Sequence, residues 1–218
     1  MFIGHLAVGF ASKRLAPRAS LGPLVAAPLL LDLVWPIFVL VGIERIRVDP
    51  GNTAFTPIAF DWYPWSHSLV TSVGWALLFA GAYYAVTRYA LGAAVMAAGV
   101  VSHWLLDAAS HRPDMPLYPG ATSPLVGLGL WNSVPGTIAV EGAMFAASVA
   151  LYARATRPRD AVGRWGLASL VAFLTIVYAS SAVGQPPPSA AAVAWVSLGT
   201  WLFPVWAGWA DAHRAVRS

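Results

Sequence analysis

Long apolar runs separated by short stretches rich in proline, glycine or charge dominate this chain. The first run, near residues 2–15, is too short to cross a bilayer, because a hydrocarbon core about 30 Å thick needs about 20 helical residues. Six longer runs follow, near 21–43, 67–87, 89–111, 135–155, 163–183 and 189–211. No strand-like alternation or repeat is evident. The pattern predicts an all-α bundle of about six transmembrane helices and a short N-terminal helix.

Composition agrees with a membrane protein. Of the 218 residues, 58% are hydrophobic and only 10% are charged, whereas about 25% are charged in soluble domains. One bundle uses nearly the whole length, so residues 1–218 are expected to form a single transmembrane domain. The absence of cysteine excludes disulfides, thiolate ligands and a cysteine nucleophile. Any bound metal must therefore be held by nitrogen and oxygen.

The basic residues alternate from one connection to the next. Ten of the thirteen lie in every second connection or at the C-terminus, and the other three are Arg45, Arg47 and Arg112. Because cytoplasmic loops are enriched in Lys and Arg, this predicts a cytoplasmic C-terminus. The net charge of +4 is then explained by orientation and contact with membrane lipids, and we expect no nucleic-acid partner. Small residues predict close helix packing at Gly74, Gly81, Gly92 and Gly99.

One apolar segment carries three ionisable residues at four-residue spacing: His103, Asp107 and His111. A helix turns about 100° per residue, so all three side chains point to nearly the same side. Ionisable groups inside membrane segments are rare unless they face a partner, a cavity or a metal. The spacing therefore predicts a functional stripe.

Other ionisable residues are predicted to lie at the same depth. His67 opens one span and Glu141 lies about two turns into another, both counted from the outer side. His5 and Asp32 are equidistant from the basic first turn, so the two can face each other in an antiparallel hairpin. The fifth histidine, His213, follows the last span and is expected to be an ordinary interfacial residue.

Nitrogen and carboxylate ligands in one layer suit Zn²⁺, Mn²⁺ or iron. The predicted metal ligands are His5, Asp32, His67, His103 and Asp107. His103 and His111 are about 12 Å apart along a straight helix, so either the last turn unwinds before Pro113 or two ions share Asp107; we favour two. His111 or Glu141 would handle protons, and Arg112 could hold an anion.

These residues resemble a known pattern: an early His, an Asp about 27 residues later, a His-Ser pair opening a helix, and Ser-His-x3-Asp. Here they are His5, Asp32, His67-Ser68 and Ser102-His103 with Asp107. Over about residues 1–112 the chain is similar to the bacterial membrane-bound metal-dependent hydrolases, which in turn resemble zinc-dependent phospholipases C. The resemblance implies a bacterial inner-membrane enzyme, with zinc as cofactor, that hydrolyses a phosphoester, plausibly lipid-linked.

Two other classes stay open. Histidines on facing helices can carry a proton or a metal ion, as in a transporter, or ligate haem. A buried polar layer can also serve only to fix helix register in a structural protein. We expect a hydrolase in which metal-activated water attacks an amphiphilic substrate from the outer leaflet. The oligomeric state leaves no mark in the sequence.

Overall fold

Apolar helices make up most of the computed structural model, which describes residues 1–217. The helices are α1 (Phe2–Ser12), α2 (Leu21–Leu40), α3 (Pro64–His67), α4 (Leu69–Thr87), α5 (Ala90–Ser110), α6 (Val134–Ala155), α7 (Ala161–Val183), α8 (Ala190–Ser197) and α9 (Leu202–Ala212). A 3-10 turn joins α8 to α9, so the two form one segment. Within residues 1–217, six helical segments are long and apolar enough to cross a membrane. The predicted all-α membrane bundle is confirmed, and the chain is a multi-pass membrane protein.

Short strands occur in the connections, contrary to the sequence-based expectation of none. They form three antiparallel pairs: β1 (Arg45–Val48) with β2 (Ile58–Trp62), β3 (Met115–Pro116) with β4 (Leu125–Val126), and β5 (Thr156–Pro158) with β6 (Arg214–Val216). Each strand has at most five residues. Alternation over so few positions gives no recognisable period, which is why the pattern was missed.

The short helix α1 lies inside the bundle. Leu6 and Phe10 are fully buried, and α1 packs against α2, α5 and α6. The Phe10 ring meets the edges of Phe145 and Tyr152 at centroid distances of 5.9 and 5.6 Å. Longer helices therefore surround α1, and a polar side chain on it is withdrawn from lipid.

Three connections meet at one end of the bundle, here called the hairpin end: residues 41–68, 111–133 and 184–189. The amide of Phe55 donates to the carbonyl of Trp131 at 3.0 Å, and the amide of Val70 to that of Leu117 at 3.0 Å. At the opposite end, Lys13 pairs with Asp211 at 2.8 Å. This alternation of ends matches the helix order predicted from the sequence.

Glycine packing follows the prediction only in part. A Cβ at Gly99 would lie 3.1 Å from the Ala27 side chain, so α5 approaches α2 closely there. Gly74 and Gly81 on α4 have open space around the same position, and the predicted contacts at these two glycines are wrong. The reason is that α4 lies at the edge of the bundle, where only 17% of its most apolar 18-residue stretch is buried.

Candidate metal centre

The five predicted ligands converge near the hairpin end. His5 comes from α1, Asp32 from α2, His67 from the last position of α3, and His103 and Asp107 from successive turns of α5. The side chains of the three histidines and Asp107 are at most 4% exposed, whereas that of Asp32 is 26% exposed. Asp32 therefore marks the accessible side of the cluster.

Asp107 lies between two histidines. Its Oδ2 is 2.9 Å from His103 Nε2, and its Oδ1 is 3.0 Å from His5 Nε2. The Met1 amino group also donates to Oδ1. One carboxylate thus joins the contributions of α1 and α5.

Asp32 and His67 complete a second group around His103. His67 Nε2 is 3.3 Å from His103 Nε2, and Asp32 Oδ1 is 3.7 Å from the first of these atoms and 3.9 Å from the second. Trp35 Nε1 donates to Asp32 Oδ1 at 3.1 Å and fixes the carboxylate. Two groups can therefore hold a cation, His5 with His103 and Asp107, and Asp32 with His67 and His103.

In each histidine, the hydrogen bond made by the ring nitrogen that points away from the cluster decides whether the other ring nitrogen faces the cluster with a lone pair. His103 Nδ1 is 2.7 Å from the Pro28 carbonyl oxygen, which can only accept, so Nδ1 carries the hydrogen. In a neutral ring Nε2 is then an acceptor. His67 also turns Nε2 towards this point, as do the carboxylates of Asp32 and Asp107. Acceptor atoms that converge in this way need a cation between them.

The spacing agrees with a metal coordination shell. Zn²⁺ binds nitrogen and oxygen at about 2.0–2.2 Å, so two ligand atoms of a tetrahedral site lie about 3.4 Å apart. His67 Nε2 and His103 Nε2 are 3.3 Å apart, and His67 Nε2 is 3.9 Å from Asp107 Oδ2. These distances differ from the expected edge by a few tenths of an ångström, which small side-chain rotations can remove.

His5 stacks on His103 with ring centroids 3.7 Å apart and an interplanar angle of 6°. Its Nδ1 is buried and has no hydrogen-bond partner among residues 1–217. An imidazole held at one nitrogen only, by Asp107, can shift towards a cation without breaking a second bond. His5 is thus the most adaptable of the ligands.

His111 reaches the same cluster because α5 ends at Ser110. His111 has an extended backbone, with ψ at 153°, so its ring swings back and Nε2 lies 4.0 Å from Asp107 Oδ2. Its Nδ1 is 2.9 Å from Asp114 Oδ1, and its ring lies 4.3 Å from that of Trp131. The helix α5 stays regular to Ser110 and ends before Pro113, so the choice between one and two ions stays a prediction.

Glu141 lies beside the cluster and is fully buried. Its Oε2 accepts the Gly4 amide at 3.2 Å, and its Oε1 has no partner within the described part of the chain. Glu141 therefore keeps one free acceptor next to the candidate ligands.

Two arginines of the hairpin end, Arg47 and Arg112, are already paired with acids. Arg112 Nε is 3.4 Å from Asp114 Oδ2, and its side chain remains 40% exposed. Arg47 pairs with Asp49 at 2.9 Å and with Asp61 at 3.1 Å, so Asp61 is part of a surface ion pair. Arg112 keeps free donors towards solvent and is the better placed of these two arginines to meet an anion.

Two cavities open at the hairpin end, and the candidate ligands are not among the residues that line them. One of about 480 Å³ has Tyr63, Arg112 and Asp114 in its wall. The other, of about 450 Å³, is mainly apolar and has Phe2, Phe55 and Trp131 in its wall. Trp131 forms the partition between the second cavity and His111. The hairpin end thus contains one polar space and one apolar space.

Sequence reasoning missed Glu44, which is 1% exposed and lies just after α2. Its two carboxylate oxygens accept from the amide and the hydroxyl of Ser66, at 2.7 and 2.6 Å. Burial raises the pKa of Glu44, while the nearby His67 and the bonds from Ser66 act against that shift. An acid next to Arg45 in a loop reads as a solvated charge, so the sequence held no signal for its burial.

The fifth histidine lies at the opposite end of the bundle, where His213 Nδ1 is 2.7 Å from Asp160 Oδ2. The polar layer therefore contains the other four histidines, together with Asp32, Asp107 and Glu141. Comparison of the chain with protein-family models, with curated proteins and with solved structures finds no match. The chemical assignment accordingly depends on these side chains themselves.

Proposed function

We propose that this chain is a membrane-embedded, metal-dependent hydrolase of phosphoester or lipid-like substrates. The observation that carries the proposal is the convergence of acceptor atoms on His67 Nε2 and His103 Nε2, which lie 3.3 Å apart and 2.9–3.9 Å from carboxylate oxygens of Asp32 and Asp107. The Met1 amino group meets Asp107 at Oδ1, and the remaining acceptor atoms are costly to bring together at this depth unless a further cation neutralises them. The pattern shared with the membrane-bound metal-dependent hydrolases supports the same conclusion.

The proposed cation is Zn²⁺, which accepts mixed nitrogen and oxygen ligands without a strict geometric demand. Both groups that can hold a metal include His103, and its Nδ1 is engaged by the Pro28 carbonyl. His103 therefore has one lone pair left, on Nε2, and that lone pair can bind only one ion. We therefore infer a single ion, held by His67, His103 and one or both carboxylates, in place of the two ions favoured from the sequence.

A bound zinc ion would polarise a phosphoryl oxygen and lower the pKa of a water molecule to about 7. Glu141 has a free, buried Oε1 and would accept the proton of that water. His111, held by Asp114 at 2.9 Å, would return a proton to the leaving group. Arg112 would bind the departing anion through its exposed donors.

The two cavities favour an amphiphilic substrate. The polar cavity beside Arg112 and Asp114 suits a headgroup, and the apolar cavity behind Trp131 suits a hydrocarbon chain. The distribution of Lys and Arg supports a topology with the hairpin end outside and the C-terminus in the cytoplasm. A lipid of the outer leaflet of the bacterial inner membrane would then meet the site from the side of the hairpin end.

Metal analysis combined with hydrolysis tests the proposal. The purified protein is expected to contain one zinc ion per chain and to cleave a chromogenic choline phosphodiester in mixed micelles. His103→Ala and Asp107→Ala should lose both properties, and His213→Ala should keep both. Unchanged metal content in the first two variants would refute the metal site. A zinc protein that cleaves no phosphoester but moves zinc or protons across vesicles would instead favour a transporter.

A further inference from the structure

A buried chain of hydrogen bonds leads from His67 away from the candidate metal centre. His67 Nδ1 is 2.6 Å from the Ser66 hydroxyl, and that hydroxyl is 2.6 Å from Glu44 Oε2. All three residues are at most 3% exposed. The opposite ring nitrogen, His67 Nε2, faces His103 at 3.3 Å. The chain therefore begins at a candidate ligand and ends on a carboxylate.

Local structure brings these residues together. Gly42, at a φ of 78°, turns the backbone after α2, and the Glu44 amide bonds back to the Phe38 carbonyl at 3.1 Å. Pro64 begins the one-turn helix α3, which presents Ser66 and His67 side by side. Glu44 Oε1 accepts the Ser66 amide at 2.7 Å, which anchors α3 to the end of α2. The carboxylate thus meets both donors of one serine.

The direction of the hydrogen bonds follows from donor counting. Glu44 accepts at both oxygens, so the Ser66 hydroxyl spends its only hydrogen on Glu44. The serine oxygen can then only accept from His67, whose Nδ1 must carry the hydrogen. Nε2 is left with its lone pair, which is the form that binds a metal.

We propose that Glu44 and Ser66 are positioning residues that hold His67 in its metal-binding tautomer and orientation. Partners of the distal nitrogen commonly do this for metal-bound histidines, and their loss typically weakens metal binding about 10–100-fold. This role rests on the proposed metal site, but the tautomer of His67 is a property of the metal-free protein as well. Glu44 touches neither the metal position nor the candidate ligands.

Glu44→Gln tests the direction of the chain. An amide has one acceptor and two donors, so it cannot accept both from the Ser66 amide and from its hydroxyl. If its oxygen takes the amide, its nitrogen donates to the Ser66 oxygen. The hydroxyl then donates to His67 Nδ1, and the ring hydrogen moves to Nε2, where it blocks the metal. This change removes little volume.

The experiment measures zinc affinity by chelator competition and the His67 tautomer from the ¹⁵N shifts of histidine-labelled protein in micelles. His67 is identified by the signals missing from His67→Gln. The wild type is expected to carry hydrogen on Nδ1 even without metal, and Glu44→Gln to carry it on Nε2. Glu44→Gln and Ser66→Ala should bind zinc about 10–100-fold more weakly, and Ser66→Thr, which keeps the hydroxyl, should bind close to the wild type.

Matched controls are Ser72→Ala, a buried serine whose hydroxyl bonds within α4 at 2.7 Å, and Asp61→Asn, an acid in the surface ion pair. Both should bind zinc as the wild type does. A metal-free wild type with hydrogen on Nε2 overturns the proposal without any variant. So does Glu44→Gln with unchanged tautomer and zinc affinity. A wild type with the expected tautomer but no zinc binding would refute the hydrolase while leaving this orientation of His67 established.

Discussion

Replacing Asp107 by asparagine is expected to abolish zinc binding without removing side-chain volume. The new side chain has the same shape, and its oxygen can still accept from the Met1 amino group at the place of Oδ1. Its amide nitrogen then takes the place of Oδ2, which is 2.9 Å from His103 Nε2. That N–H group would donate to the ring lone pair that otherwise binds the metal. The substitution thus replaces the cation by a neutral hydrogen bond.

The size of the effect follows from ligand linkage. A ligand that binds only the folded chain at 100 times its dissociation constant stabilises it by about 2.7 kcal/mol. For chains of roughly 150–250 residues, each kcal/mol shifts the melting temperature by about 2–4 °C. Zinc should therefore raise the melting temperature of the wild type by about 5–11 °C. For Asp107→Asn the shift should be close to zero.

The assay is thermal unfolding in detergent, followed by the fluorescence of the eleven tryptophans, with and without zinc after chelator treatment. Asp211→Asn is the matched control, a buried acid that accepts from Lys13 at 2.8 Å and from Tyr152 at 2.6 Å. Breaking that pair should cost about 3–5 kcal/mol, yet leave the zinc shift intact. A full zinc shift in Asp107→Asn would show that Asp107 is no ligand.

Three further predictions concern the proton acceptor, the fifth histidine and the topology. Glu141→Gln should keep zinc but lower hydrolysis of the phosphodiester about 10²–10⁴-fold; an unchanged rate would remove Glu141 from the mechanism. The hydrogen bond from His213, and after it the bond from the Gly163 amide, lowers the pKa of Asp160. The contribution of Asp160 to stability is therefore present above the usual Asp pKa and is lost as the pH falls through the lowered value. In His213→Gln the titration midpoint of the Asp160 carboxyl, followed by ¹³C NMR, should rise, and an unchanged midpoint would contradict this cause. The chain has no cysteine, so single cysteines can report the topology. Arg45→Cys should react with an impermeant maleimide in intact spheroplasts, and Arg159→Cys should react only after permeabilisation. The reverse result would show that the topology is the opposite of the proposed one.

The helices were predictable because membrane spans depend on one property, the length of an apolar run. The predicted span at 67–87 begins two residues late in the structure, at Leu69, for a local reason. Pro64 starts a separate one-turn helix, and Ser68 has an extended backbone with ψ at 155°, which makes it the N-cap of α4. Such a break depends on capping geometry, which an average over an apolar run does not register.

The convergence of the candidate ligands could be predicted from spacing and depth, whereas their supporting residues could not. His103 and Asp107 share a helix, so four-residue spacing alone brings them together. Glu44 and Ser66 meet His67 through a turn and a one-turn helix, whose geometry is set by tertiary packing. The serine was visible next to the histidine, but nothing in the sequence linked it to an acid 22 residues earlier.

Three histidines of this layer, His67, His103 and His111, differ in the group that is hydrogen-bonded to the ring nitrogen pointing away from the cluster. His103 is bonded to a carbonyl oxygen and His67 to a hydroxyl that is itself fixed by a carboxylate. Both partners favour a neutral ring with its lone pair on Nε2, which suits a metal ligand. His111 Nδ1 is bonded directly to the carboxylate of Asp114 at 2.9 Å. These outer contacts support the proposed division of roles, in which His67 and His103 would bind the metal and His111 would transfer a proton.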